Sequence, residues 1–302
     1  MSKHVAVLMG GMSSERPVSL SSGAACAEGL EQAGYRVTQV DVGPDIAEVL
    51  MRLKPDVAFN ALHGPQGEDG VIQGLLELLR IPYTHSGVRA SALAMDKVLA
   101  KVIAANAGIP VAAHVLATPD EIAAAHVLPP PYVIKPVADG SSFGVTIIRS
   151  GDEPRSFNAD MARYGRRLMV ESYVAGQELT CAVLGDRVLG VTEIVPIGHD
   201  YYDYDAKYAD GGSRHVCPAD IPDDLRQRIE EYSLIAHQVL GCRGASRSDF
   251  RYDPATEQLI WLELNTQPGM TPTSLLPELG AYRGLNFPAL LAWMVEDASL
   301  DR

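Results

Sequence analysis

Two hydrophobic periods divide this chain. Over the first 90 residues, short apolar runs alternate with longer amphipathic stretches. His4 to Met9, Arg36 to Val42 and Val57 to Leu62 read as strands. Between them, a segment with Pro17 in its first turn runs to Gly34, Asp45 to Lys54 reads as helix, and Val71 to Leu79 reads as a third helix. A β-α-β-α-β-α order predicts a parallel sheet with right-handed crossovers, in which ligands gather beyond the carboxyl ends of the strands. Two polar, glycine-bearing loops fall there: Gly10-Gly11-Met12-Ser13-Ser14-Glu15 and His63-Gly64-Pro65-Gln66-Gly67-Glu68-Asp69-Gly70.

From about residue 90 the order changes. A single helix is expected from Ser91 to Ala107, stopped by Gly108 and Pro110, and Thr118 with Glu121 has the spacing of a capping box. Strand-like runs then follow one another: Tyr132 to Pro136, Val145 to Arg149, Leu168 to Val174, Glu178 to Leu184 and Val188 to Ile197. The polar stretch Gly198 to Pro218, with Tyr201, Tyr202, Tyr204 and Tyr208, is long for a loop in a compact domain and reads as a lid or binding loop. A helix from Asp223 to Leu240 precedes two last strands, around Ala245–Phe250 and Trp261–Asn265. The expected fold class is therefore α/β with α+β modules. Its domains would be a parallel-sheet domain over 1–90, a small antiparallel module over 91–176 and a C-terminal module over 177–302.

Composition narrows the functional classes. The 25 basic residues stand against 38 acidic ones, a formal charge of −13, and no Lys/Arg block occurs, which disfavours a nucleic-acid partner. No apolar run reaches the ~20 residues of a membrane helix, and the chain enters a strand at once after Met1, so a soluble cytoplasmic protein is expected. Cys26, Cys181, Cys217 and Cys242 show no metal-type spacing and read as reduced structural thiols.

Candidate chemistry concentrates in the last strands. Glu263 and Asn265 interrupt the apolar run that starts at Trp261, and a period of two puts both on one strand face. Arg247 and Asp249 stand in the same relation one strand earlier. Three oxygen donors and a guanidinium on neighbouring strands suit a hard cation holding phosphate oxygens. An Arg–Asp ion pair with a strand-end Asn turn is the plainer alternative. The small-residue turn Asp139-Gly140-Ser141-Ser142-Phe143-Gly144 allows close backbone approach to phosphate, favoured by Lys135 just before it, or is simply a tight turn. Lys97 reads as a phosphate ligand or an exposed helical lysine. Glu15 could hold an ammonium or cap the next helix, and His63 could act as a base or bond to backbone. Glu171 and Glu178 flank a connector and could line a cleft or be solvated acids.

Taken in order, these segments resemble the D-alanine–D-alanine ligase family of the ATP-grasp superfamily. The resemblance runs through Gly10-Gly11 with Ser14-Glu15-Arg16, Leu62-His63-Gly64 with Gly67-Glu68-Asp69-Gly70, Met95-Asp96-Lys97, Lys135-Pro136 with Gly140-Ser141-Ser142, Ala206-Lys207-Tyr208, Arg247-Ser248-Asp249, and Glu263 to Thr271 with Ser274. It covers nearly the whole chain. It implies ATP as a substrate held between the second and third modules, with two Mg2+ ions (Mn2+ as a substitute) on Asp249, Glu263 and Asn265. It further implies that Lys97, Lys135, Ser141, Ser142 and Lys207 contact phosphate, that Glu171 and Glu178 face adenine and ribose, and that Val174 offers backbone to the adenine edge. Glu15, with His63 nearby, would hold the first D-alanine; Gly269 and Ser274 would receive the second. Arg247 would stabilise the acyl phosphate, and Tyr208 on the omega loop would bond to Glu15 and Ser141. A homodimer and a place in peptidoglycan precursor synthesis are implied in the same way. Departures are Asp139 and Gln267, where glutamate and serine are frequent, and the apolar pair Val137-Ala138. The rival readings are a D-alanine–D-lactate or D-serine ligase, another ATP-grasp ligase, and a catalytically silent nucleotide-binding scaffold.

Overall fold

The computed structural model describes residues 2–138, 140, 144–151, 166–198, 212–271 and 273–300. Strand β1 (His4–Met9) is buried along its whole length at the centre of a parallel sheet, between β2 (Arg36–Asp41) and β3 (Val57–Asn60). An unbroken apolar run is what a parallel strand covered on both faces requires. The helices α1 (Arg16–Gln32), α2 (Ile46–Leu53) and α3 (Val71–Leu79) occupy the crossovers, in the expected order. β3 stops at Asn60, two residues before the expected Leu62. Asn60 Oδ1 accepts the Leu62 amide at 3.1 Å and its side-chain NH2 donates to Gly67 O at 2.9 Å, which turns the chain out of the sheet.

The helix expected from Ser91 to Ala107 is two helices, α4 (Val88–Met95) and α5 (Lys97–Asn106). Asp96 causes the break: it is extended (φ −83°, ψ 98°) and its carboxylate accepts the amides of Val98 and Leu99, both at 3.0 Å. Aspartate competes with the helical backbone in this way and is favoured at an N-cap. The Lys97 amide in turn donates to Val137 O at 3.0 Å, so the start of α5 is anchored to the second module.

That module is a four-stranded antiparallel sheet in the order β4 (His114–Ala117), β7 (Leu168–Ser172), β5 (Tyr132–Pro136), β6 (Thr146–Ile148). Edge strand β4 was not foreseen; it is four residues long, partly exposed and carries no clean alternation. Helix α6 (Pro119–Ala124) has the expected capping box, Thr118 with Glu121. The third sheet is antiparallel, in the order β10 (Ser213–Val216), β9 (Arg187–Pro196), β8 (Gln177–Leu184), β11 (Ala245–Asp253), β12 (Gln258–Asn265), and α7 (Asp223–Val239) packs on β8, β9 and β11.

Two further helices, α8 (Leu275–Tyr282) and α9 (Phe287–Asp297), were also not foreseen. α9 packs on α1, where Gly29 leaves room: a Cβ there would lie 2.6 Å from Leu291. Leu290 and Leu291 share a core with Val5 and Val7 from the first sheet, Leu30 from α1, and Leu184 and Leu189 from the third sheet. The last helix thus fastens the N-terminal sheet to the C-terminal one. No helix among the described residues is long and apolar enough to cross a membrane.

Two buried histidines fix the direction of acid sensitivity. Burial pulls His85 down to about 3 and His237 down to about 4. Both lie below the ~6.5 of an unfolded histidine. As pH falls through 6.5 the unfolded chain takes up protons that the folded chain refuses, so stability present above 6.5 drains away toward pH 3 to 4. His237→Asn, which retains an acceptor toward Ser246, is expected to flatten the decline of Tm between pH 7 and 5; an unaltered slope would remove His237 from this account.

Candidate active site

The first sheet delivers Glu15 at the foot of α1. It occupies the N-cap position but makes no capping bond with its side chain, so the helix-cap alternative is not realised. Instead the carboxylate is pressed between two glycines: a Cβ on Gly64 or on Gly140 would lie 2.8 or 2.7 Å from its Oε1. Gly140 belongs to the small-residue turn after β5, so this contact brings the first and second modules together. His63 lies beside it, 5% exposed. Its ring bonds to side chains, not to backbone: Nδ1 is 3.1 Å from Glu68 Oε1 and Nε2 is 3.1 Å from Ser22 Oγ.

The third sheet supplies the opposite wall. In the antiparallel register Arg247 faces Asn265 and Asp249 faces Glu263, so all four side chains share one face of two neighbouring strands, as the period-two pattern predicted. Arg247 donates to both oxygens of Asp249, at 2.9 and 2.8 Å, and Thr180 donates to Asp249 Oδ1 at 2.6 Å. Asn265 Oδ1 accepts the Gln267 amide at 2.7 Å. The plainer alternative, ion pair plus Asn turn, is therefore present in the structure. Among the described residues no group of three or more His, Cys, Asp or Glu side chains is placed as a metal site. The donor set still suits a hard cation, because two carboxylates stand side by side in register and an amide oxygen follows on the same face.

Lys97 is not an exposed helical lysine. At the first position of α5 its side chain is 12% exposed, and Nζ is 3.5 Å from Glu263 Oε2. One cleft is lined by Glu15, His63, Lys97, Gly140, Arg247, Glu263, Asn265, Gly269 and Ser274. At its floor Ser274 Oγ accepts the Thr271 amide at 3.0 Å and lies 2.7 Å from Thr271 Oγ1. Beyond the end of β12, Gln267 and Asn60 exchange side-chain bonds across the first and third sheets, with Asn60 Nδ2 3.1 Å from Gln267 Oε1 and Gln267 Nε2 donating to Asn60 O.

Behind this cleft lie Lys135, Glu171, Val174 and Glu178. Glu171 is 2% exposed, which corrects the solvated-acid alternative. Its carboxylate lies 2.5 Å from Lys101 Nζ and 2.7 Å from Lys135 Nζ. Burial opposes its charge, yet the two lysines hold its pKa below the usual range. For Lys135 burial likewise opposes the ammonium, but Glu171 and Glu263 outweigh it and raise the pKa; for Lys101 burial wins and pulls it to about 8. Glu178 pairs with Arg251 at 3.2 Å, and Arg251 Nε donates to Val174 O at 3.1 Å, so the connector between modules is held from β11. Ser141, Ser142, Lys207, Tyr208 and Asp139 lie outside the described residues.

Glu68, Thr180, Arg251 and Lys101 were not singled out from the sequence. Glu68 and Thr180 orient assigned residues, and only Lys101, four residues beyond Lys97 on the same helix face, had a readable signal.

A small parallel-sheet domain followed by two antiparallel sheets, with cations and carboxylates facing each other across a cleft, defines the molecule as an ATP-grasp protein. Family descriptions "D-ala D-ala ligase N-terminus" and "D-ala D-ala ligase C-terminus" match residues 43–86 and 103–296. The D-alanine--D-alanine ligase of Chelativorans sp. (strain BNC1) is 65% identical over 99% of both chains, and that of Sinorhizobium fredii 62% identical over 98% of both. Among solved structures, the D-alanine--D-alanine ligase from Bacillus anthracis complexed with ATP superposes with a TM-score of 0.82 at 27% identity, covering 98% of this chain and 97% of that one. The VanG D-Ala:D-Ser ligase from Enterococcus faecalis gives 0.77 at 29%, covering 98% and 99%. The chain belongs to the D-alanine–D-alanine ligase family.

The glycines around Glu15 give a direct test of the packing. Gly64 has φ +72° and no room for a Cβ, whereas Gly74, inside α3, meets nothing within 4 Å. Gly64→Ala should lower stability by about 1–3 kcal/mol, and Gly74→Ala should raise it by about 0.5–1 kcal/mol. Denaturant midpoints would show this; equal effects at the two positions would contradict the tight seat described for Glu15.

Proposed function

We propose that this chain is an ATP-dependent ligase that joins two D-alanines for peptidoglycan precursors. The observation that carries this reading is a cleft lined from all three modules: Glu15 from the first, Lys97 and Gly140 from the second, Arg247 and Glu263 from the third. Full-length identity of 61–65% to several D-alanine--D-alanine ligases supports the same substrates. An ammonium needs a carboxylate in a restricted pocket, and Glu15 between Gly64 and Gly140 supplies it. An anionic nucleotide needs local cations in a chain of charge −13, and Lys97, Lys135 and Arg247 supply those.

In the proposed reaction a carboxylate oxygen of the first D-alanine attacks the γ-phosphorus of ATP, and ADP leaves. The amine of the second D-alanine then attacks the activated carbonyl, inorganic phosphate leaves, and the amine gives up a proton. Phosphoryl transfer depends mostly on positioning and charge neutralisation, which suits a site built from fixed cations. Arg247, always charged and planar, would face the acyl phosphate and the oxyanion that follows it. Gly269 and Ser274 would receive the second carboxylate. Glu171 and Glu178 would face adenine and ribose, with Val174 offering backbone. Ser141, Ser142, Lys207 and Tyr208 would cover the phosphates. Asp249, Glu263 and Asn265 would hold two Mg2+ ions, or Mn2+, which when bound neutralise phosphate charge. The divisions 1–90, 91–176 and 177–302, a cytoplasmic location and a homodimer belong to this reading.

Phosphate release from MgATP is the test, with D-alanine, with L-alanine, and with D-alanine plus D-lactate or D-serine, each product identified by mass. The expected result is D-alanine-dependent release yielding the dipeptide; release only with a mixed pair would move the chain to a relative with another second substrate. Glu263→Gln is expected to lower turnover by about 100-fold or more, while Tm stays within a few degrees. Near-normal turnover in that variant would remove Glu263 from the metal set.

A further inference from the structure

Among the described residues Lys101 is the largest charged side chain that is fully buried, at the inner face of α5. Its Nζ lies 2.5 Å from Glu171 Oε1 and 3.2 Å from Trp261 O, and 5.8 Å from the centre of the Trp261 ring. Glu171 stands on β7 of the small sheet and Trp261 on β12 of the large one, so this single ammonium bridges the two sheets between which the nucleotide is proposed to lie. The other Glu171 oxygen is 2.7 Å from Lys135 Nζ.

Charge balance does not explain Lys101. Without it, Lys135 and Glu171 already form a neutral pair; with it, the buried cluster holds two cations against one carboxylate. A desolvated ammonium is costly and an apolar side chain of similar volume would fill the space at less cost. What an apolar side chain cannot do is fix the carboxylate. By holding Oε1 toward α5 and β12, Lys101 determines where Oε2 points, and Oε2 in turn holds the Lys135 ammonium. Lys97, one turn earlier on the same helix, reaches Glu263 on β12, so α5 sets two cations along the end of that strand.

We infer that Lys101 is a positioning residue for the nucleotide site: it orients Glu171, and through it Lys135, against the β12 frame. This rests on the reading of that site as an ATP site. It predicts a split between substrates that a merely structural residue would not give. In Lys101→Met the KM for ATP should rise about tenfold, the scale of losing one hydrogen bond to a charged group. The KM for D-alanine should change less than twofold, because Glu15 and Ser274 lie outside the triad. Lys101→Gln keeps a donor without the charge and should fall between wild type and Met, at about threefold in KM for ATP.

Both variants and wild type would be measured as full-length enzyme, with MgATP and D-alanine varied in turn and Tm recorded. A lower kcat at unchanged KM for ATP, or equal rises in both KM values, would overturn the inference and leave the ATP site standing. If Lys101→Met does not fold, Lys101→Gln decides alone, and a wild-type KM for ATP in that variant overturns the inference. Wild-type enzyme that neither binds nor turns over ATP would overturn the site reading itself, and the inference with it.

Discussion

A carboxylate removed from water must be neutralised where it lies, and the register of β11 against β12 turns that constraint into a site. Both strands need apolar side chains to pack on α5 and α7, yet each gives up alternate positions on one face to charge. Asp249 is held by Arg247 and Thr180, Glu263 by Lys97, and Glu171 by Lys101 and Lys135. Pairs buried to this degree are poor sources of stability, because desolvation offsets most of their attraction. What they do is orient one another: Lys97 and Arg247 line the cleft itself, while Lys101 and Lys135 hold Glu171 behind it.

The same ordering passes from the third sheet into the first. Asn265 at the end of β12 accepts the Gln267 amide, Gln267 exchanges bonds with Asn60, and Asn60 shapes the loop that begins at Leu62 and carries His63. Arg243 adds a second tie, donating to Tyr83 O at 3.1 Å and to Ser299 Oγ at 2.9 Å. With the core shared by α1 and α9, these bonds tie the first sheet and its His63 loop to the end of β12. Gln267, one of the departures from common family sequence, thus has a structural place. Its long amide reaches across a gap that a serine would leave to other groups.

Most of the fold was legible because strands and helices here obey strong local rules. The continuous apolar run of β1, the Pro17 and Gly34 limits of α1 and the Thr118–Glu121 box all act over a few residues. What failed were features decided by competition or by distant partners. Asp96 sits in a helical pattern and breaks it, because its side chain offers two amides a better acceptor than the helix does. Asn60 ends β3 for a related reason. α9 is half of an interface with α1, and its meaning depends on Gly29, more than 250 residues away. For the site, alternation alone placed Arg247, Asp249, Glu263 and Asn265 on one face. It could not show that Arg247 and Asp249 bond each other, nor that Glu171 is buried between two lysines, one from α5 and one from β5.

That pairing explains how an acidic protein can keep cations fixed at and behind its cleft. Lys97 and Arg247 line the cleft beside Glu15, Glu68 and Glu263, and Lys101 and Lys135 lie behind it around Glu171, within a chain of net charge −13. Each carboxylate acts as a local counterion that holds its lysine or arginine in place. In the proposed reading the site would need little reorganisation when phosphate oxygens join those cations, and preorganisation of this kind is what a charge-transferring reaction uses. The acidic surplus elsewhere on the surface does not weaken this arrangement. Charges beyond a Debye length, about 8 Å at physiological salt, are largely screened, whereas the buried pairs are not.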